Sequence, residues 1–292
     1  MDNINRDILK VKLNSFKGTA FQDAMDRVFS CIYGDNFQRI KQKRDAGSDG
    51  ILFGQTILAG YSPENYSLRD YKKKILGDFE SYQKNWATSH QGWQVVTNLE
   101  LTSQMLQYTK ELKADAEIVC IEKLLALILS QTWTVKLSIF RALDIPDNYI
   151  NNDVVATIIE DLIQMTDEGS DFSPYTKPLY IKDKIDLNLS PENREIFLDE
   201  YEEYLSSFPA IAHVVKNRSQ TSILALRSKI RTTYIGLSGT FETKLNNLTI
   251  GLAQNKSQDD FYVHFLRIVL IYFFEQCLFG AKSTSELEVE ND

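Results

Sequence analysis

The sequence is short of the residues that usually announce chemistry. It has three cysteines, at 31, 120 and 277, and each lies inside a separate apolar segment. They form neither a CxxC zinc pattern nor a disulfide framework, so they read as buried free thiols of a reducing compartment. The histidines, His90, His213 and His264, are isolated and lack metal-ligand spacing. No Walker loop, GxGxxG or Ser/His/Asp pattern occurs, which leaves ATP hydrolysis and dinucleotide chemistry without support. Long hydrophobic runs are missing as well. The most apolar stretch, FLRIVLIYFFEQCLF (265–279), contains Arg267 and Glu275 and is shorter than a membrane span, so it reads as a buried helix with no membrane partner. An excess of positive charge is also absent: 32 basic against 40 acidic residues give a net charge of −8. That balance disfavours a general nucleic-acid coating protein but leaves room for a local basic patch. The first residues, MDNINRDILKVKLNS, have no apolar h-region, so a cytoplasmic location is expected.

What is present is an ordinary globular composition, with 43% apolar and 25% charged residues over a length that suits two domains. In the first half, element types alternate. Residues 18–33 put Phe21, Met25, Val28, Phe29 and Ile32 on one helical face. FQRIKQK (37–43) alternates apolar and charged residues like an edge strand. Residues 50–60 predict a hairpin whose turn, Gly54-Gln55, suits type II′ because glycine tolerates the positive φ required first. A helix over 68–86, a strand over 92–98, a helix over 101–113, a strand over 117–121 and a helix over 122–130 follow. The predicted order is α-β-β-β-α-β-α-β-α, an α/β domain over 1–131.

The second half, 132–292, predicts an all-helical domain. Helices are expected over 153–165, 191–206, 209–217, 219–250 and 258–279, with a turn-rich connector over 166–193 and a break near Gly236–Gly239. The helix 258–279 has too many apolar positions for one stripe, so it must be covered on most of its circumference. Either the domain covers it internally, or a second copy or partner subunit closes part of it.

One carboxylate stands out. Asp49 lies at the mouth of the first hairpin strand, with Lys43 and Arg44 just upstream. As an Asp-Gly pair it is an ordinary turn residue; it also falls where metal-dependent DNA cleavage needs an acid to hold a divalent cation. Basic residues gather nearby in sequence. Arg39, Lys41, Lys43 and Arg44 run along the edge strand, and Lys72, Lys73 and Lys74 along the helix after the hairpin. Each group reads equally as a solvated surface and as a phosphate-contacting patch.

Residues 34–63, GDNFQRIKQKRDAGSDGILFGQTILAGYSP, resemble a bacterial nuclease-like family of the PD-(D/E)xK superfamily. The matching positions are Gly34-Asp35, Phe37, Lys41, Arg44, Asp49-Gly50, Gly54, Tyr61 and Pro63. KKKILGDF (72–79) and GWQVVTN (92–98) are similar to the basic helix and strand that follow the hairpin in that family. KIDLNLS (184–190) and LIYFFEQCLFG (270–280) look like its helical C-terminal domains. The resemblance implies a restriction-endonuclease-like domain, within a bacterial anti-phage defence complex whose partners include an SMC- or ABC-type ATPase. It also implies a degenerate site. Ala59 stands where the second metal ligand belongs, Tyr61 where the lysine belongs, and Phe21-Gln22 where the opening helix carries an acid. Asp49 is then the remnant catalytic residue, with Asp49 and Gln22 the candidate metal ligands. No cofactor is expected if the site is degenerate, and Mg²⁺ if it is active. The two function classes are a nuclease-fold subunit that binds DNA or partner proteins and an active metal-dependent DNA endonuclease, with homo-oligomer formation a further possibility for either.

Overall fold

The computed structural model describes residues 4–40, 48–166, 181–276 and 278–281. The chain divides into two compact units, 1–150 and 151–292. The first opens with two helices, α1 (Ile4–Ser15) and α2 (Gly18–Tyr33). Phe21, Ala24, Met25, Val28 and Phe29 form the buried face of α2, at the i, i+3, i+4 spacing of an amphipathic helix. Five strands follow: β1 (Phe37–Arg39), β2 (Gly50–Leu52), β3 (Thr56–Tyr61), β4 (Gly92–Thr97) and β5 (Glu117–Val119). They form one sheet in the order β1-β2-β3-β4-β5.

The connections dictate the strand directions. A three-residue connection (53–55) joins β2 to β3 antiparallel, whereas α3 (Leu68–Asn85) and α4 (Ser103–Leu112) are crossovers that make β3, β4 and β5 parallel. Helices α5 (Ile121–Leu129) and α6 (Trp133–Ala142) complete the unit. The predicted alternation of elements is therefore present, with α1 and α6 added to it. The division falls after Ile150 and not after 131, because α6 packs on α2 and α5.

The hairpin turn differs from the type II′ turn expected at Gly54-Gln55. Phe53 (φ +52) and Gly54 (φ +63) are its central residues, and the Gln55 N–H donates to the Leu52 carbonyl at 3.0 Å. Two consecutive positive φ values make it type I′, whose twist matches the strands. Phenylalanine is rare at such a position. Here its ring meets Tyr33 edge-on, with centroids 5.5 Å apart, and its N–H donates to the Asn36 carbonyl at 2.7 Å.

The two sheet faces are covered separately. Ile57, Ala59, Tyr61, Trp93, Val95 and Ile118 pack with Tyr71, Ile75, Phe79 and Tyr82 of α3 and Met105 of α4. Leu58, Gly60 and Val96 share a small cavity with Phe21, Met25 and Phe29 of α2.

The helix α7 spans Asp147–Gln164. The second unit continues with α8 (Ile181–Asn188), α9 (Pro191–Tyr204), α10 (Phe208–Lys216), α11 (Gln220–Ile235), α12 (Phe241–Ala253) and α13 (Asp260–Glu275). The single helix expected over 219–250 is two helices. Thr240 starts the second as its N-cap, accepting the Thr243 N–H, and Gly239 enters it at φ +110. In α13, Leu266, Val269, Leu270, Ile271, Phe273 and Phe274 are fully buried, and the helix packs on α10 and α12. The chain itself covers the broad apolar surface that left room for a partner there. Arg267, the basic residue in this helix, forks onto Glu200, and the Tyr201 hydroxyl donates to Glu275 at 3.0 Å. Among the described residues no helix is long and apolar enough to cross a membrane. Cys120 is buried and Cys31 half-buried, both as free thiols; Cys277 lies outside the described residues.

Candidate functional site

Asp49 sits immediately before β2. Its N–H donates to the Leu58 carbonyl at 2.8 Å, and its own carbonyl accepts from Ile40. Ser48, buried beside it, closes the turn by donating its hydroxyl to the Gly50 carbonyl at 3.1 Å. The Asp49 carboxylate reaches α2. Oδ1 accepts from Nε2 of Gln22 at 2.6 Å, and Oδ2 accepts from the backbone N–H of Gly60 at 2.5 Å.

The β3 residue that meets Asp49 is thus Gly60, and not Ala59 as the sequence pattern implied. Ala59 lies in the core beneath α3, on the opposite face of the sheet. At Gly60 a Cβ would stand 3.0 Å from Asp49 Oδ2 and 3.5 Å from Cγ of Gln22, so glycine is what admits the carboxylate to this amide. Two residues further on, the spacing that would carry a lysine reaches Ser62 and not Tyr61. The Ser62 hydroxyl lies 2.9 Å from both the Phe16 carbonyl and Oδ1 of Asn98, and Nδ2 of Asn98 donates to the Leu13 and Phe16 carbonyls. That network fastens the end of α1 to the sheet.

A second acid was not anticipated. Asp26 is one turn beyond Gln22 on α2, is 9% exposed, and shares with Asp49, Gln22 and Gly60 a cavity of about 20 Å³. Burial lifts its pKa to about 6, against the opposing pull of Arg39, and the charges of Asp23 and Asp49 add to the rise. Arg39 holds it through Nε at 2.6 Å and grips Asp23 through Nη2 at 2.6 Å. A carboxylate on the apolar face of an amphipathic helix, between Met25 and Val28, was the available signal in the sequence.

The predicted basic residues separate. Arg39 is engaged by two acids of α2. Lys72 lies over the Tyr108 ring with Nζ 4.9 Å from its centroid, Lys73 is exposed, and Lys74 donates to both oxygens of Asp78 at 2.5 and 2.6 Å. Lys41, Lys43 and Arg44 lie outside the described residues. Of the described ones, Lys74 shares a surface with the Asp49 neighbourhood, since Lys74, Gln22 and Gly60 line one open cleft of about 590 Å³.

A Mg²⁺ site needs several oxygen ligands, usually with more than one carboxylate or a phosphate among them. Here both oxygens of Asp49 receive N–H donors, Gln22 presents its amide nitrogen, and Gly60 supplies no side chain. Among the described residues no group of three or more Asp, Glu, His or Cys side chains is placed to hold a metal. This arrangement does not fit a resident Mg²⁺, and it acts instead as a hydrogen-bonded clasp between α2, the β2 entry and β3. No protein-family model, curated protein or solved structure matches this chain.

Proposed function

We propose that this chain is a nuclease-fold subunit that binds DNA, partner proteins or both without cutting DNA by itself. The observation that carries the reading is Gly60 facing Asp49: the hairpin keeps one acid and presents a backbone N–H where cleavage chemistry needs a second oxygen ligand. The mixed sheet with an antiparallel hairpin leading into parallel strands is consistent with a restriction-endonuclease-like domain. The resemblance over residues 34–63 extends the reading to a bacterial anti-phage complex, with an SMC- or ABC-type ATPase or another defence subunit as partner.

The test uses the purified full-length chain with supercoiled and linear duplex DNA in Mg²⁺ or Mn²⁺. No cleavage is expected. Duplex retention should fall steeply with salt and fall further in Lys41→Glu/Lys73→Glu, because each neutralised phosphate releases counterions. Cleavage abolished by Asp49→Ala would overturn the reading. Absence of both DNA retention and a co-purifying ATPase from the source cell would overturn it as well.

A second reading, an active metal-dependent endonuclease, is favoured by one observation. Asp26 shares its cavity with Asp49, so a helix-borne acid stands near the hairpin acid. Its signature is Mn²⁺-dependent cleavage lost equally in Asp26→Asn and Asp49→Asn.

A further inference from the structure

The edge strand β1 is three residues long and, among the described residues, pairs with β2 alone, in the register Phe37↔Leu52, Gln38↔Ile51 and Arg39↔Gly50. So short a ladder is marginal, and side chains must help to hold it. Two contacts with α2 do so, one at each end. Near the hairpin tip, Phe37 is buried and meets the Phe29 ring edge-on at 5.7 Å. At the far end the backbone bond is long, from the Ile40 N–H to the Asp49 carbonyl at 3.5 Å. There Arg39 spans two acids of α2, with Nε donating to Oδ2 of Asp26 and Nη2 to Oδ1 of Asp23, both at 2.6 Å.

The two acids are not equivalent. Asp23 is half exposed, where water weakens an ion pair. Asp26 is buried beside the apolar cavity, and Arg39 is its one ion-pair partner among the described residues. The other charges that face it are acids, Asp23 on its own helix and Asp49 at the entry to β2. From β3 and β4 the cavity takes Leu58, Gly60 and Val96, none of which titrates. The turn after α6, which packs on α2, sets Asp144 against Arg27 at 3.9 Å. A carboxyl with apolar walls, two like charges and one cation is drawn towards its neutral form. A proton relieves the burial and both repulsions together, and it removes the charge from the Arg39 contact. The pKa of about 6 agrees with this, burial being its main cause.

We propose that Asp26 is an acid-operated latch on the edge strand β1. Ionised at neutral pH, it grips Arg39 and holds the far end of the strand against α2. Protonated in mild acid, it releases Arg39, and that end frays from Asp49. The exposed Asp23 does not hold the strand by itself, while Phe37 keeps the tip end in place. The fraying is local. The folded chain binds this proton more tightly than the unfolded chain does, so its uptake favours the fold as a whole. The latch does not depend on the function proposed above.

Amide hydrogen exchange of the full-length chain tests this, read by NMR and corrected for the intrinsic pH dependence of exchange. Between about pH 7.5 and about pH 5 the opening of the Ile40 amide should rise about five- to tenfold, the loss expected when a charge-assisted contact becomes neutral. Its midpoint should lie near 6. The Phe53 amide, bound to the Asn36 carbonyl at 2.7 Å at the tip, should stay unchanged. The Arg39 Nε–H signal should shift with the same midpoint as its acceptor neutralises. Asp26→Asn should show the acid behaviour at every pH, with no step. Asp23→Asn should keep the step, and Arg39→Gln should lose it. The proposal is overturned if Ile40 opening is flat across this range, if the step survives in Asp26→Asn, or if Asp23→Asn abolishes it. It is overturned as well if amides of β3 and β4 open together with Ile40, since that would be unfolding of the whole unit.

Discussion

Along β3, Ile57, Ala59 and Tyr61 join the core beneath α3 and α4, while Leu58 and Gly60 line the cavity beneath α2. The α3 side is closed by aromatic rings. Phe79 meets Trp93 at 5.0 Å, Tyr61 meets Tyr71 at 5.3 Å, and Tyr82 stacks on Phe79 and Trp93 at 5.9 and 6.2 Å. The α2 side encloses two acids and a glutamine against apolar walls. Burying carboxylates is unfavourable unless they are paired and hydrogen-bonded, so a chain free to optimise stability alone would fill that cavity with hydrocarbon. One face carries stability, and the other retains polar groups that stability does not require.

Substitutions in the aromatic face should destabilise the protein most. Trp93 is 2% exposed, and truncating it to alanine should destabilise the protein by about 3–5 kcal/mol, read as a lowered urea midpoint. Its indole N–H has no hydrogen-bond partner among the described residues, so Trp93→Phe should cost less than about 2 kcal/mol. A loss near 1 kcal/mol for Trp93→Ala would contradict the assignment of this face as the main core.

Next is Asp26, whose folded pKa of about 6 lies above the ordinary 3.8. The folded state holds this proton more tightly than the unfolded chain. Its contribution to stability is therefore fully present below the ordinary value and is lost as pH rises through about 6. Asp26→Asn does not titrate. Between about pH 4 and pH 7 the stability of the wild type relative to Asp26→Asn should fall by on the order of 2 kcal/mol. Urea unfolding at a series of pH values measures it. A pH-independent difference would show that Arg39 cancels the burial of this carboxyl, which would make the two faces more alike than they look.

These effects also mark what could be read in the sequence. The amphipathic spacing of α2 and α3 and the apolar runs of β3 and β4 were legible because burial of one face imposes a period on the residues. The type I′ turn was not legible, since nothing local to Phe53 announces a positive φ; contacts with Tyr33 and Asn36, distant in sequence, accommodate it. The family resemblance puts Ala59 in the second-ligand place, but Asp49 lies just outside β2, and its side chain turns to α2 and Gly60. The helices α1 and α6 are not legible in the sequence, although Leu9, Leu13, Ile139 and Phe140 in them are fully buried. Their apolar residues gain meaning only from the surfaces they cover.

A weaker perturbation isolates the contact with Asp49 that distinguishes Gly60 from its neighbour Ala59. Gly60 does not have a positive φ, so an alanine there is resisted by space and not by backbone strain. The added Cβ would lie 3.0 Å from Asp49 Oδ2, tighter than nine in ten real contacts, and should cost about 1–2 kcal/mol as the carboxylate is pushed from the Gly60 amide. Asp49→Ala should cost a similar about 1–3 kcal/mol by leaving that amide and Gln22 Nε2 without their acceptor. The double variant, however, contains no carboxylate for the new methyl to strike. Its loss should fall short of the sum of the two single losses by about 1 kcal/mol, a coupling expected only of groups in direct contact. Strict additivity in urea unfolding would separate Gly60 from Asp49 and return Ala59 to consideration. The predicted shortfall would mean that installing a glutamate at position 60 cannot rebuild a two-acid site unless Asp49 first moves.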